Sequence, residues 1–212
     1  MTKQKIIDSG VNELQISIDG STKEVFEKIR DKSNFEKVIE NCKLVNLYAK
    51  KVNKQVTKMW TVVQKDNIHQ LEDLVELASE LHFPSAVFSF DLGDWGQDDW
   101  TKRNLNLRSN AISYEQGMAL REKGAKLGVY VYFWYLDSKF DNKNLCPWPF
   151  ERAYVSSDMR IVPCCMVANP DAKDLGDANK FSEEWNADEY QKFRKSHIEG
   201  DIPNFCKSCY VK

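Results

Sequence analysis

Residues 146–165 read CPWPFERAYVSSDMRIVPCC and residues 206–209 read CKSC; together they hold five of the six cysteines in the chain. A Cys-x2-Cys pair places two sulfurs on one tight turn. Two more distant cysteines then supply enough thiolates to close a tetrahedral zinc site or to ligate a cubane iron–sulfur cluster. The Cys-x2-Cys turn alone leaves iron and zinc both open. Tyr154-Val155 and Arg160-Ile161-Val162 form two short strand-like runs around a turn at Ser157-Asp158, and Pro163-Cys164-Cys165 follows the second. Trp185-Asn186, Tyr190 and Phe193-Arg194 fall on a predicted helix, with Trp185, Tyr190 and Phe193 spaced to pack it against the cysteine hairpin.

Outward from this segment, the bounds are those of an ordinary soluble globular protein: 212 residues, one compact domain plus a small appendage. A formal net charge of −2 gives no electrostatic basis for a nucleic-acid or anionic-membrane partner. No apolar run approaches the roughly 20 residues of a membrane span. MTKQKIIDSG at the start has no apolar core of signal-peptide length. The chain therefore reads as cytoplasmic, where clustered cysteines point to metal over disulfides.

Before the cysteine segment, strands alternate with helices. A helix over residues 3–9 stops at Gly10, and Glu13–Asp19 alternates as a strand. Ser21-Thr-Lys-Glu24 is a capping box opening a short helix to about Arg30, and Ser33-Asn-Phe-Glu36 is a second. Phe35, Val38, Ile39, Cys42, Val45 and Ala49 then recur at helical spacing, so Cys42 reads as a core residue. The lysine-rich stretch 43–58 reads as a solvated helix face and loop. Strands are predicted at 55–63, 86–90 and 129–136. Asn67-Ile-His-Gln70 caps a helix whose apolar face is Ile68, Leu71, Leu74, Val75, Ala78 and Leu81, and Ser113-Tyr-Glu-Gln116 opens another ending at Gly128. This alternation indicates βα units and a mainly parallel sheet. The longest irregular piece, residues 91–110, leaves the C-terminal end of a strand, where its Asp, Trp and Arg residues either line a substrate pocket or form a solvated loop. His69, His82 and His197 are scattered without metal-ligand spacing and read as surface or capping residues.

The cysteine segment resembles the SPASM/twitch auxiliary-cluster domain of radical SAM enzymes, and its single terminal Cys-x2-Cys resembles the shorter, twitch form with one auxiliary [4Fe-4S] cluster. The resemblance implies Cys146, Cys164, Cys206 and Cys209 as ligands, with Cys165 as the alternative to Cys164. The CPW and PCC context tips the choice from zinc to iron. The family usually has Gly after the hairpin Asp, where this chain has Met159. A second resemblance lies in Gln15-Ile-Ser-Ile-Asp-Gly20, followed by Arg30 and Phe35, which looks like the fourth strand and following helix of the radical SAM partial barrel. It implies that Ser17 and Arg30 approach the ribose and carboxylate of S-adenosyl-L-methionine, with Asp19 nearby. A hydroxyl and a guanidinium suit those roles.

Together these imply an α/β fold: residues 1–140 as the C-terminal part of a radical SAM partial (β/α) barrel, and residues 141–212 as a SPASM/twitch domain of β-hairpin plus helix. The family's Cys-x3-Cys-x2-Cys loop and Gly-Gly-Glu stretch do not occur in these 212 residues. The resemblance therefore places the chain from about the third helix of a six-unit barrel. It implies no AdoMet cleavage by the chain alone and an unpaired sheet edge at the first strand. A separate polypeptide carrying the AdoMet-cluster half is the implied partner. The implied function is the auxiliary-cluster portion of an oxidoreductase or maturase acting on a peptide or small polar substrate. The alternative is a non-catalytic iron–sulfur or zinc interaction module.

Overall fold

A computed structural model of the protein describes residues 3–93, 97–135 and 139–210. The chain is α/β and divides into two compact units, Met1–Leu92 with Leu107–Tyr135, and Gly93–Asn106 with Leu136–Lys212.

The first unit begins with α1 (Lys3–Asp8), β1 (Leu14–Ser17), α2 (Lys23–Ile29), α3 (Phe35–Lys51), β2 (Thr57–Val62), α4 (Leu71–Glu80) and β3 (Ser85–Ser89). The chain then forms α5 (Asp98–Leu107), nearly all of it within the second unit, and returns with α6 (Tyr114–Leu127) and β4 (Tyr130–Trp134). The four strands are parallel in the order β1-β2-β3-β4. Sequential order with right-handed crossovers sets successive helices on one face of the sheet. On that face Met59, Ala86, Phe88 and Val131 form one core with Leu71, Leu74, Val75 and Ala78 of α4 and Leu120 of α6. On the alternate positions of β4, Tyr130 and Tyr132 are exposed, and Trp134 meets Trp60 with ring centroids 5.9 Å apart.

Several local expectations are corrected. Thr22, not Ser21, caps α2, its hydroxyl accepting the Val25 N–H at 3.4 Å, while the Ser21 N–H donates to Gln70 Oε1 at 3.0 Å. Asn34, not Ser33, caps α3 by accepting the Lys37 N–H at 2.7 Å. Asn67 caps no helix. Its side chain accepts the Gln64 N–H at 2.8 Å and donates to the carbonyls of Asp19 and Val62 at 2.9 Å each, and a 3-10 turn over Ile68–Gln70 intervenes before α4. Backbone groups beyond the strand ends need partners, and a buried carboxamide in reach of two carbonyls supplies them. The Ser113–Gln116 box forms as read, and α6 closes at Gly128 with φ 75°. The irregular stretch 91–110 is also corrected, since ten of its residues are helical in α5. There Arg103 lies over Trp100 at 4.9 Å, an i,i+3 pairing that a helix provides. Residues 94–96 of that stretch, and Leu136 of the predicted fourth strand, lie outside the described residues.

The second unit continues with α7 (Trp148–Glu151), β5 (Tyr154–Val155), β6 (Arg160–Val162), β7 (Gly176–Asp177), α8 (Phe181–Glu184) and α9 (Asp188–Ile198). The three strands make an antiparallel sheet in the order β5-β6-β7. The hairpin strands match the sequence reading, and β7 is an addition to it. Trp185 and Asn186 precede α9 and are not on it. Ile161, Leu175, Tyr190 and Phe193 form the core of this unit. No described helix is long and apolar enough to cross a membrane.

Gly20 marks where the turn after β1 meets α2. A Cβ there would stand 2.5 Å from the backbone nitrogen of Phe26 and 2.9 Å from its Cα, and neither can yield as a side chain can. Gly20→Ala is expected to cost about 1–3 kcal/mol, read as a lower urea midpoint at unchanged slope.

Candidate metal centre

All six cysteines lie among the described residues and none forms a disulfide. Cys42 is apart from the rest, 2% exposed in the core of the first unit, where burial pushes its thiol up to about 11.

The other five are set by three local structures. Cys146 precedes Pro147 and the first turn of α7; burial raises its thiol, and the Trp148 backbone N–H, Lys139 and Arg152 pull it back. Cys164 follows β6 through the buried Pro163, and the chain turns there with the Val167 N–H donating to Cys164 O at 3.1 Å. Backbone N–H groups of Met166 and Val167 also reach its sulfur, yet burial dominates and pushes this thiol up to about 12. Cys206 and Cys209 sit on a single 3-10 turn, Asn204–Cys209, which follows Pro203. The carbonyl of Cys209 accepts the N–H groups of Lys139 and Phe140 at 2.9 and 3.0 Å, bringing the start of the unit to its end.

Convergence is visible in the electrostatics of Cys206. Burial is the main cause of its raised pKa, and the charges of Cys164, Cys209 and Cys146 push it further. Cys165 is exposed, and its charge is felt at both Cys146 and Cys164. Among the described residues no three His, Cys, Asp or Glu side chains gather closely enough to hold a single metal ion.

Helix α9 forms one wall. Cys206 packs on the core made by Ile161, Leu175, Tyr190 and Phe193. Arg194 stacks at 4.5 Å from the Trp185 ring centre and 4.7 Å from that of Tyr190, and its Nε donates to Pro149 O at 2.9 Å. The surface or capping role read for His197 is overturned: the residue is 1% exposed. Its Nδ1 lies 2.9 Å from Phe193 O, which can only accept, so Nδ1 carries the hydrogen. Burial lowers its pKa. Position 197 continues the inward stripe of Tyr190 and Phe193, a helical-spacing signal that a search for metal-ligand spacing passes over.

Residues 146–210 match the family model described as SPASM, iron-sulfur cluster-binding domain. The second unit carries a SPASM domain. Among curated proteins none matches the chain. The SPASM hairpin contains the departure noted above: Met159 adopts φ 63°, in the left-handed region, while its N–H donates to Ser156 O at 3.0 Å. Its side chain is 44% exposed, so little burial offsets the backbone cost. Met159→Gly is expected to raise stability by about 1 kcal/mol, seen as a higher Tm with the cysteine site unchanged.

The candidate AdoMet residues lie in the first unit. Ser17 ends β1 opposite Trp60. Asp19, 3% exposed, receives Arg30 Nε at 2.7 Å on one carboxylate oxygen and the Val62 N–H at 2.8 Å on the other. Burial raises the Asp19 carboxyl, and Arg30 is the largest influence pulling it down. A carboxyl whose folded pKa exceeds its unfolded one binds more protons when folded, so its contribution weakens as pH rises through the folded value. Loss of Arg30 raises that value further. Arg30→Gln is therefore expected to cost about 1 kcal/mol near pH 7, the figure reduced because the guanidinium is partly exposed. The cost should shrink below about pH 4, where Asp19 is protonated in both proteins. Urea titrations at the two pH values check the sign.

Proposed function

We propose that Cys146, Cys164, Cys206 and Cys209 hold one auxiliary [4Fe-4S] cluster of the twitch type. On this reading the chain is the auxiliary-cluster portion of a radical SAM oxidoreductase or maturase acting on a peptide or small polar substrate. The observation that carries it is the SPASM match, which opens on Cys146 and closes one residue after Cys209. The donor set fits such a group. Four thiols face one another electrostatically, partly withdrawn from water, and backbone N–H groups at Cys146 and Cys164 favour their thiolate forms. Cys164, with two N–H donors and less exposure, is better supported as a ligand than Cys165.

Bound there, a cluster supplies one-electron transfer. The apolar wall of Tyr190, Phe193 and Phe205 limits the access of water to Cys206. In the first unit, Ser17, Asp19 and Arg30 are proposed to contact S-adenosyl-L-methionine once the AdoMet-cluster half is supplied by a further segment or a separate polypeptide. One observation favours a second reading, a non-catalytic iron–sulfur or zinc module: Arg30 already commits its Nε to Asp19.

Anaerobic reconstitution with ferrous iron and sulfide is expected to give broad absorption near roughly 400 nm and about four irons per chain. The Cys206→Ala, Cys209→Ala double variant is expected to lose most of that iron. Colourless protein holding one zinc tightly would overturn the cluster assignment and leave the module reading.

A further inference from the structure

Two of the cysteines come from the very end of the second unit and one from its beginning, so something must hold the beginning in register. Tyr210 follows Cys209 directly, and its hydroxyl accepts the backbone N–H of Cys146 at 3.1 Å, across 64 residues of chain. The tyrosine is 7% exposed. Its ring is fixed between Phe140 and His197, with centroids 5.8 and 5.9 Å away, and its backbone bridges that of Phe140.

A phenol has one hydrogen to give and two acceptor positions. Cys146 fills one acceptor position, and no oxygen or nitrogen of the described residues takes the hydrogen. Burial holds this phenol above the ordinary range, so the O–H is intact at neutral pH. The hydroxyl is held 3.1 Å from the backbone nitrogen of Cys146 on a residue that directly follows Cys209, which sets it at the edge of the cysteine site. A buried donor without an acceptor carries a desolvation penalty, which a sulfur of a cluster held beside Cys146 would relieve.

We propose that Tyr210 is a positioning residue of the cysteine site: its hydroxyl anchors Cys146 through the backbone and gives its own hydrogen to a sulfur of the bound cluster. This rests on the iron–sulfur reading above. Hydrogen bonds to cluster sulfurs stabilise the more negative, reduced form and so raise its reduction potential. The Met166 and Val167 N–H donors at Cys164 act in the same direction and make no contact with the Tyr210 hydroxyl.

The test compares the full chain with its Tyr210→Phe variant, both reconstituted anaerobically with iron and sulfide. The ring packing on Phe140 and His197 is retained, so the variant is expected to keep the visible spectrum of the cluster in the fraction that holds iron. Its midpoint potential should become more negative, with the reduced-to-oxidised ratio at a fixed potential falling about five-fold, the worth of one hydrogen bond. Site-specific 3-fluorotyrosine at position 210 keeps the hydroxyl, donates more strongly, and should move the potential the other way. Potentials unchanged in both proteins at full iron content would overturn the Tyr210 assignment alone. Should Tyr210→Phe fail to hold iron, the fluorotyrosine protein decides, and an unshifted potential there overturns it. A parent chain that takes up no iron would remove the cluster reading and this inference with it.

Discussion

The cysteine site depends on bringing Cys146 to Cys206 and Cys209 against the entropy of the chain between them. Burial of one face of α9 does most of this. Tyr190 and Phe193 pack on Ile161 of the hairpin and Leu175 beside β7, and Cys206 rests on the same core. Polar contacts then fix the register. Arg194 holds the carbonyl of Pro149, Cys209 takes the N–H groups of Lys139 and Phe140, and Tyr210 takes that of Cys146. Each of these joins the start of the unit to its end. Apolar burial supplies non-directional attraction, while hydrogen bonds of fixed length select one arrangement.

Burial also governs the protonation of the thiols. Desolvation opposes thiolate formation, and neighbouring thiolates oppose it again, so Cys164 and Cys206 are both held well above an ordinary thiol. A cationic iron–sulfur core reverses both effects, since the ligand must be deprotonated and the metal supplies the compensating charge. The same logic governs the buried Asp19, whose carboxylate is offset by Arg30 and by the Val62 N–H. There the compensation comes from protein groups already in place.

Where the sequence misled, another residue, adjacent or distant, took the role read for a local cap. Ser21, Ser33 and Asn67 all carry N-cap chemistry, yet none caps. The Ser21 N–H is taken by Gln70 and the Asn67 amide by the carbonyls of Asp19 and Val62, while the neighbouring Asn34 takes the role read for Ser33. His197 offered no local sign of burial except its place on the stripe of Tyr190 and Phe193. Nothing in the run of residues from Gly93 to Asn106 announces that they join the second unit. Met159 is the reverse case, a departure visible in the sequence that proves to be a left-handed residue with a side chain.

The sequence by itself determined the alternation of strands and helices, the hairpin at Tyr154–Val162, the capping box and glycine stop of α6, and the concentration of five cysteines in the last third of the chain. Those features rest on periodicity and on short-range hydrogen bonding, which act between residues a few positions apart. Only the tertiary structure decided which polar groups are buried and what they face: the Asp19–Arg30 pair, the inward His197, and the reach of Tyr210 to Cys146. Burial and long-range pairing depend on which surfaces meet, and residues 64 positions apart meet only once the intervening chain has packed.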